Sequence, residues 1–168
     1  MKQIFTKKQI VFKLIFSFLF LISLVIFYKA WQNVSTLIAF VLAYSVAVFL
    51  LYLDEQFLYK FYVEKIDNGE ERSSHFPALA SRNFFFILML PFLSIFVLTS
   101  SGSVLGIALI LAINFYLLIE VWQLRDEFLL FKDRFLALSK IKTNSRMVRK
   151  ISWIALFYFV FLLIILYF

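Results

Sequence analysis

Apolar residues in this chain fall into long unbroken runs, and charged residues gather between the runs instead of alternating with them. A helix rising 1.5 Å per residue needs about 20 apolar residues to cross a hydrocarbon layer about 30 Å thick. Five stretches fit that window: residues 10–28, 34–53, 77–98, 103–123 and 151–168. The stretch 34–53 has no charge. The third and fourth share one uncharged run of 36 residues, 84–119, broken by Thr99-Ser100-Ser101-Gly102-Ser103. That composition is a turn, so the run predicts a tight helical hairpin. Each arm reaches full length only by extending outwards, to Pro77 on one side and Gln123 on the other. This puts Arg82 and Glu120 at headgroup depth. Lys13 interrupts the first run and is expected to reach the near interface along its own stem. The last stretch, about 27 Å as a helix, spans only if its carboxylate lies at the far headgroups.

The pattern predicts an all-α, polytopic transmembrane helix bundle in a single domain, with connectors over 54–76 and 124–150. Of the 17 Lys and Arg residues, all but Lys29 lie in the amino-terminal segment or in those two connectors and their margins. The positive-inside rule makes that side cytoplasmic, with the amino terminus inside and the carboxy terminus outside. The first run follows a basic segment with no small-residue cleavage site after it, and reads as an uncleaved signal anchor. Tyr28 and Trp31 mark the outer interface, and Tyr52, Trp122 and Trp153 the inner one.

Helical periodicity continues past the second and fourth runs. Leu53, Phe57 and Phe61 form one apolar stripe, and Leu124, Phe128, Phe131, Phe135 and Leu138 another. No Gly or Pro interrupts either junction, so both spans are expected to project as helical extensions on the cytoplasmic side. The alternative lays the stripes in the headgroup plane.

Composition then narrows the chemistry. The chain is 64% hydrophobic and 16% charged, far from the 45–50% apolar and 25% charged residues of ordinary soluble domains. There is no cysteine, which excludes disulfides, thiolate metal sites and thiol nucleophiles. The net charge of +7 borders apolar runs, where it serves topology and not a nucleic-acid partner. The partners expected are the lipid bilayer and its anionic headgroups, and another membrane protein or a second copy of the chain. No cofactor is expected.

Lipid removes most of the hydrophobic drive between helices, so small residues at spacing four mark packing faces. Ser35, Ala39, Ala43 and Ala47 form one such line. Gly102 and Gly106 form another, with Ala108 and Ala112 on a neighbouring ridge. Pro91 sits inside the third span and removes a backbone donor there.

Candidate polar sites are few. Asn114 lies at mid-membrane and needs a hydrogen-bond partner on another helix. Glu120 is the acidic residue nearest the apolar core, with Arg125, Arg82 or Lys150 as possible partners. Asp54 and Glu55 adjoin the second span but point about 100° apart on a helix, so they form a polar collar and not a chelating pair. His75 is a loop histidine able to titrate near neutrality. Lys140, Lys142, Arg146, Arg149 and Lys150 place five basic residues in eleven beside the last span, a cluster that attracts anionic headgroups. Asn33-Val34-Ser35 has the form of a glycosylation acceptor but abuts the membrane.

Lys65, Arg72, Ser74-His75 and Ser81-Arg82 are similar in residue type to the phosphate-binding groups of membrane phosphatidate phosphatases. That chemistry needs two histidines and this chain has one, so no family follows. The functional expectation is an accessory or assembly partner of other membrane components, without catalytic machinery of its own. A transporter or channel subunit is the first alternative. The second is an enzyme acting on lipid headgroups, which requires Asp54, Glu55, His75, Arg82 and Glu120 to converge.

Overall fold

The computed structural model describes residues 7–27, 33–54, 80–82, 84–100, 102–136 and 144–167. These residues form α1 (Lys7–Phe27), α2 (Val34–Leu53), a 3-10 turn (Ala80–Arg82), α3 (Phe84–Ser100), α4 (Val104–Gln123), α5 (Phe128–Phe135) and α6 (Ser145–Tyr167). No strand occurs among them. Three helices, α2, α4 and α6, are long and apolar enough to cross a membrane. α3 and the apolar part of α1, Val11–Ile26, are shorter.

Helix starts have local causes. Asn33 caps α2 by accepting the Ser35 N–H at 3.0 Å and the Ser35 hydroxyl at 2.8 Å. Ser103 caps α4, accepting the Gly106 N–H at 3.3 Å. Asn144 accepts the Met147 N–H at 2.8 Å, which starts α6 six residues before its apolar run. At 23 residues α6 is about 34 Å long, so charged first turns precede a full apolar span. These side-chain oxygens satisfy N–H groups that the first helical turn leaves without carbonyl partners.

The central helix is α4, with buried residues around most of its circumference. Its most extensive neighbour is α2. Ala43 and Ala47 of α2 are buried with Ile107, Ala108, Leu111 and Ala112 of α4, so the two backbones approach closely through small side chains. Phe20 of α1, Phe115 of α4 and Phe159 of α6 form an aromatic triad, with Phe20 and Phe115 stacked at 3.9 Å and the other pairs at 5.4 and 5.5 Å. A second core joins Leu90, Leu117, Val121, Phe131, Phe135 and Val148 from α3, α4, α5 and α6.

Several placements differ from the sequence expectation. The fourth span does not project as a straight extension. α4 ends at Gln123, the Glu127 N–H closes a turn on the Leu124 carbonyl at 3.0 Å, and α5 folds back with Phe131 and Phe135 in the core. Burial of Leu124, Phe131 and Phe135 is the physical reason, while Phe128 of the same stripe stays exposed. Gly102 is not on a packing face: it is exposed, with φ +54°, in the turn before α4. The left-handed conformation suits a residue without a Cβ, and it reverses the chain between α3 and α4. Ser35 is exposed and Ala39 and Gly106 are half-buried, so the closest part of the small-residue contact lies further along both helices. The α-helical part of the third span begins at Phe84, after the 3-10 turn. The first connector's extension over 55–76 and the start of the third span near Pro77 lie outside the described residues.

Candidate functional site

Glu120 occupies the last turn of α4 and is 0% exposed. A carboxylate so placed is stable as an ion only with charged or hydrogen-bonding partners, and three elements bring them. The 3-10 turn before α3 presents Arg82, also 0% exposed. Its Nε donates to Glu120 Oε1 at 2.8 Å and its Nη2 to Oε2 at 3.0 Å, a two-pronged match of fork to carboxylate. Nη1 of the same guanidinium donates to Ser81 Oγ at 3.1 Å and contacts the Leu51 carbonyl at 3.5 Å. From α5, the Arg134 Nε donates to Glu120 Oε1. From α1, the Lys13 amine lies 3.7 Å from Oε2 and 5.2 Å from the centre of the Tyr116 ring.

Asp54 extends this cluster from the end of α2. It accepts the Ser81 N–H at 2.9 Å and the Ser81 hydroxyl, and lies 3.6 Å from Arg82 Nη1. The beginning of α1, the end of α2, the turn before α3, the end of α4, and α5 are thereby tied together at one end of the bundle. Trp122 near the end of α4 meets Trp153 near the start of α6 at 5.4 Å, so α6 begins at that end too. α1, α2, α3, α4 and α6 consequently alternate in direction.

A second polar contact crosses the bundle further along α4. Asn114 Nδ2 donates to Ser94 Oγ of α3 at 2.8 Å and to the Ile110 carbonyl of its own helix at 2.8 Å. The Ser94 hydroxyl donates in turn to the Leu90 carbonyl at 2.7 Å, beside the interruption at Pro91. These groups are buried and mutually bonded.

The structure therefore brings Asp54, Arg82 and Glu120 together and puts Asn114 in a separate contact. Glu55, His75, Lys140 and Lys142 lie outside the described residues. Arg146, Arg149 and Lys150 are exposed on the first turns of α6. Of the partners proposed for Glu120, Arg82 is in place. Arg125 pairs with Asp126 at 3.3 Å, and Lys150 is exposed.

Lys13 and Arg134 were not expected at the site. Lys13 is 4% exposed and turns inwards, where Glu120 offers a charge partner. Spacing carried a signal for both. Arg134 is three residues after Phe131 and one before Phe135, within the apolar face of α5. Lys13, Ser17, Phe20 and Leu24 recur at helical spacing, and Lys13, Ser17 and Leu24 are the buried residues of that line.

Chemically, the cluster is a clamp. Both oxygens of Glu120 are engaged by guanidinium groups, which leaves the carboxylate little room to take up a ligand. Among the described residues, no group of three His, Asp or Glu side chains is placed to hold a metal ion. Comparison with protein families, with curated proteins and with solved structures finds no match for this chain.

Proposed function

We propose that this chain is a multi-pass membrane protein of five spans that serves as an accessory or assembly partner for other membrane components, with no catalytic machinery of its own. The observation that carries the reading is the mutual engagement of Glu120, Arg82, Arg134 and Lys13. Buried charges locked onto one another hold helices in register. They do not present a reactive group to a substrate. The large apolar side chains exposed on α1, α3 and α6, among them Phe18, Phe92 and Phe157, face outward to lipid or to a partner helix.

The alternating helix directions support five crossings, and the bias of Lys and Arg supports an amino terminus in the cytoplasm. The chain lacks cysteine, so single labels can be introduced directly. Arg72→Cys and Lys142→Cys are expected to react with an impermeant maleimide from the same, cytoplasmic side. Labelling from opposite sides overturns the topology.

The role is tested by purification in mild detergent. A stoichiometric membrane-protein companion, whose abundance falls when this chain is deleted, is the expected result. A lone oligomer that carries solute across liposomes, and loses that flux on Asn114→Ala, overturns the accessory role in favour of transport.

A further inference from the structure

Where α4 ends and α6 begins, a cleft of about 400 Å³ is lined by Trp122, Arg125, Asp126, Arg149, Ser152 and Trp153. Small-ligand sites occupy about 300–1,000 Å³. The two indoles pack edge to face at 5.4 Å. The Arg125 guanidinium lies over Trp122, 4.6 Å from the ring centre. Asp126 ties the two arginines together, 3.3 Å from Arg125 and 3.0 Å from Arg149. Each guanidinium carries five N–H donors, and these contacts engage one nitrogen of each, so both retain donor capacity. Stacking and the shared carboxylate restrict the arginines in advance, which lowers the ordering cost of binding.

Two guanidinium groups and one carboxylate give the lining a formal charge of +1. A phosphodiester carries one negative charge, and its oxygens match the guanidinium fork. Tryptophan pairs of this kind belong at headgroup depth. The aromatic surface continues from the cleft along α6, where Trp153 and Phe157 lie 6.2 Å apart, each more than half exposed. Free phosphate has no use for that strip, whereas a lipid can lay an acyl chain along it.

We propose that this cleft binds the phosphodiester headgroup of an anionic membrane phospholipid. Arg125 and Arg149 engage the phosphate oxygens, the indoles flank the glycerol region, and one acyl chain follows Trp153 and Phe157. The inference rests on the reading that this end of the bundle lies at headgroup depth, and is independent of the accessory role.

The test uses the full chain with Trp31→Phe, delipidated in detergent, so that emission reports Trp122 and Trp153. Titration with dihexanoyl-phosphatidylglycerol is expected to give a saturable change. Arg125→Gln with Arg149→Gln is expected to weaken it about tenfold or more while leaving the thermal midpoint in place, since both side chains are substantially exposed. Inorganic phosphate over the same range is expected to give no saturable change. An equal response to phosphate, an undiminished response in the double variant, or no saturation with the lipid overturns the proposal. Quenching of the same tryptophans by lipids brominated along the acyl chain, in nanodiscs, separates the two premises. Quenching without saturable binding sinks the cleft alone, and absence of quenching sinks the assigned depth as well.

Discussion

Two polar residues of α4, Asn114 and Glu120, lie six positions and about 9 Å apart along one helix, yet they are satisfied in different ways. Asn114 donates to one hydroxyl oxygen on α3 and to the Ile110 carbonyl of its own turn. Glu120 has no such local recourse for its charge and gathers cations from α1, the turn before α3, and α5. A neutral amide can be satisfied within its own helix, and a buried carboxylate cannot. The first contact is a graded contribution between two helices. The second is a joint condition on four elements, because removing any member leaves the others charged in a medium of low dielectric.

The sharpest way to break this contrast is Glu120→Leu, which leaves Arg82, Arg134 and Lys13 facing one another. A loss of about 4 kcal/mol is expected, read as a collapse of folded yield and thermal midpoint in detergent. A stable variant would show that the cations relax to solvent easily and that the clamp is not a joint condition. Arg82→Lys keeps the charge but loses the fork and the Ser81 contact, and should cost about 2 kcal/mol in a denaturant titration. A neutral outcome would reduce Arg82 to a point charge. Asn114→Ala is expected to cost about 1 kcal/mol in the same titration, within the range of interhelical hydrogen bonds in membranes. A cost equal to that of Glu120→Leu would erase the distinction between the two sites. Ser94→Ala should cost least, about 0.5 kcal/mol, since Asn114 keeps its bond to Ile110.

Legibility in the sequence followed the same division. Asn114 was recognisable as a residue needing a partner, because an amide in the middle of an apolar run has no other explanation. Its partner was not recognisable, since Ser94 resembles the many small residues tolerated in such runs. Depth along the chain leaves Arg125, Arg82 and Lys150 all open as partners for Glu120, and only the packed helices select Arg82. Arg134 carried no such signal on a helix expected to project straight from α4, because nothing on that path brings it to Glu120. Once the turn at Leu124 returns α5 to the bundle, the same residue lies at the carboxylate. The small-residue line on α2 was visible as a repeat, while how much of it packs closely depended on where α4 crosses it.

Runs of apolar residues, their lengths and the distribution of Lys and Arg are one-dimensional properties. With backbone hydrogen bonds closed inside each segment, they are enough to determine an apolar, helical chain with candidate spans. Partnerships between charges were decided only in three dimensions. Whether Lys13, Arg82 and Arg134 reach solvent or Glu120 depends on positions contributed by helices distant in sequence, and on a turn whose direction is set by the burial of Phe131 and Phe135. An ion's cost or benefit is a property of its surroundings, and those surroundings exist only after the helices have packed.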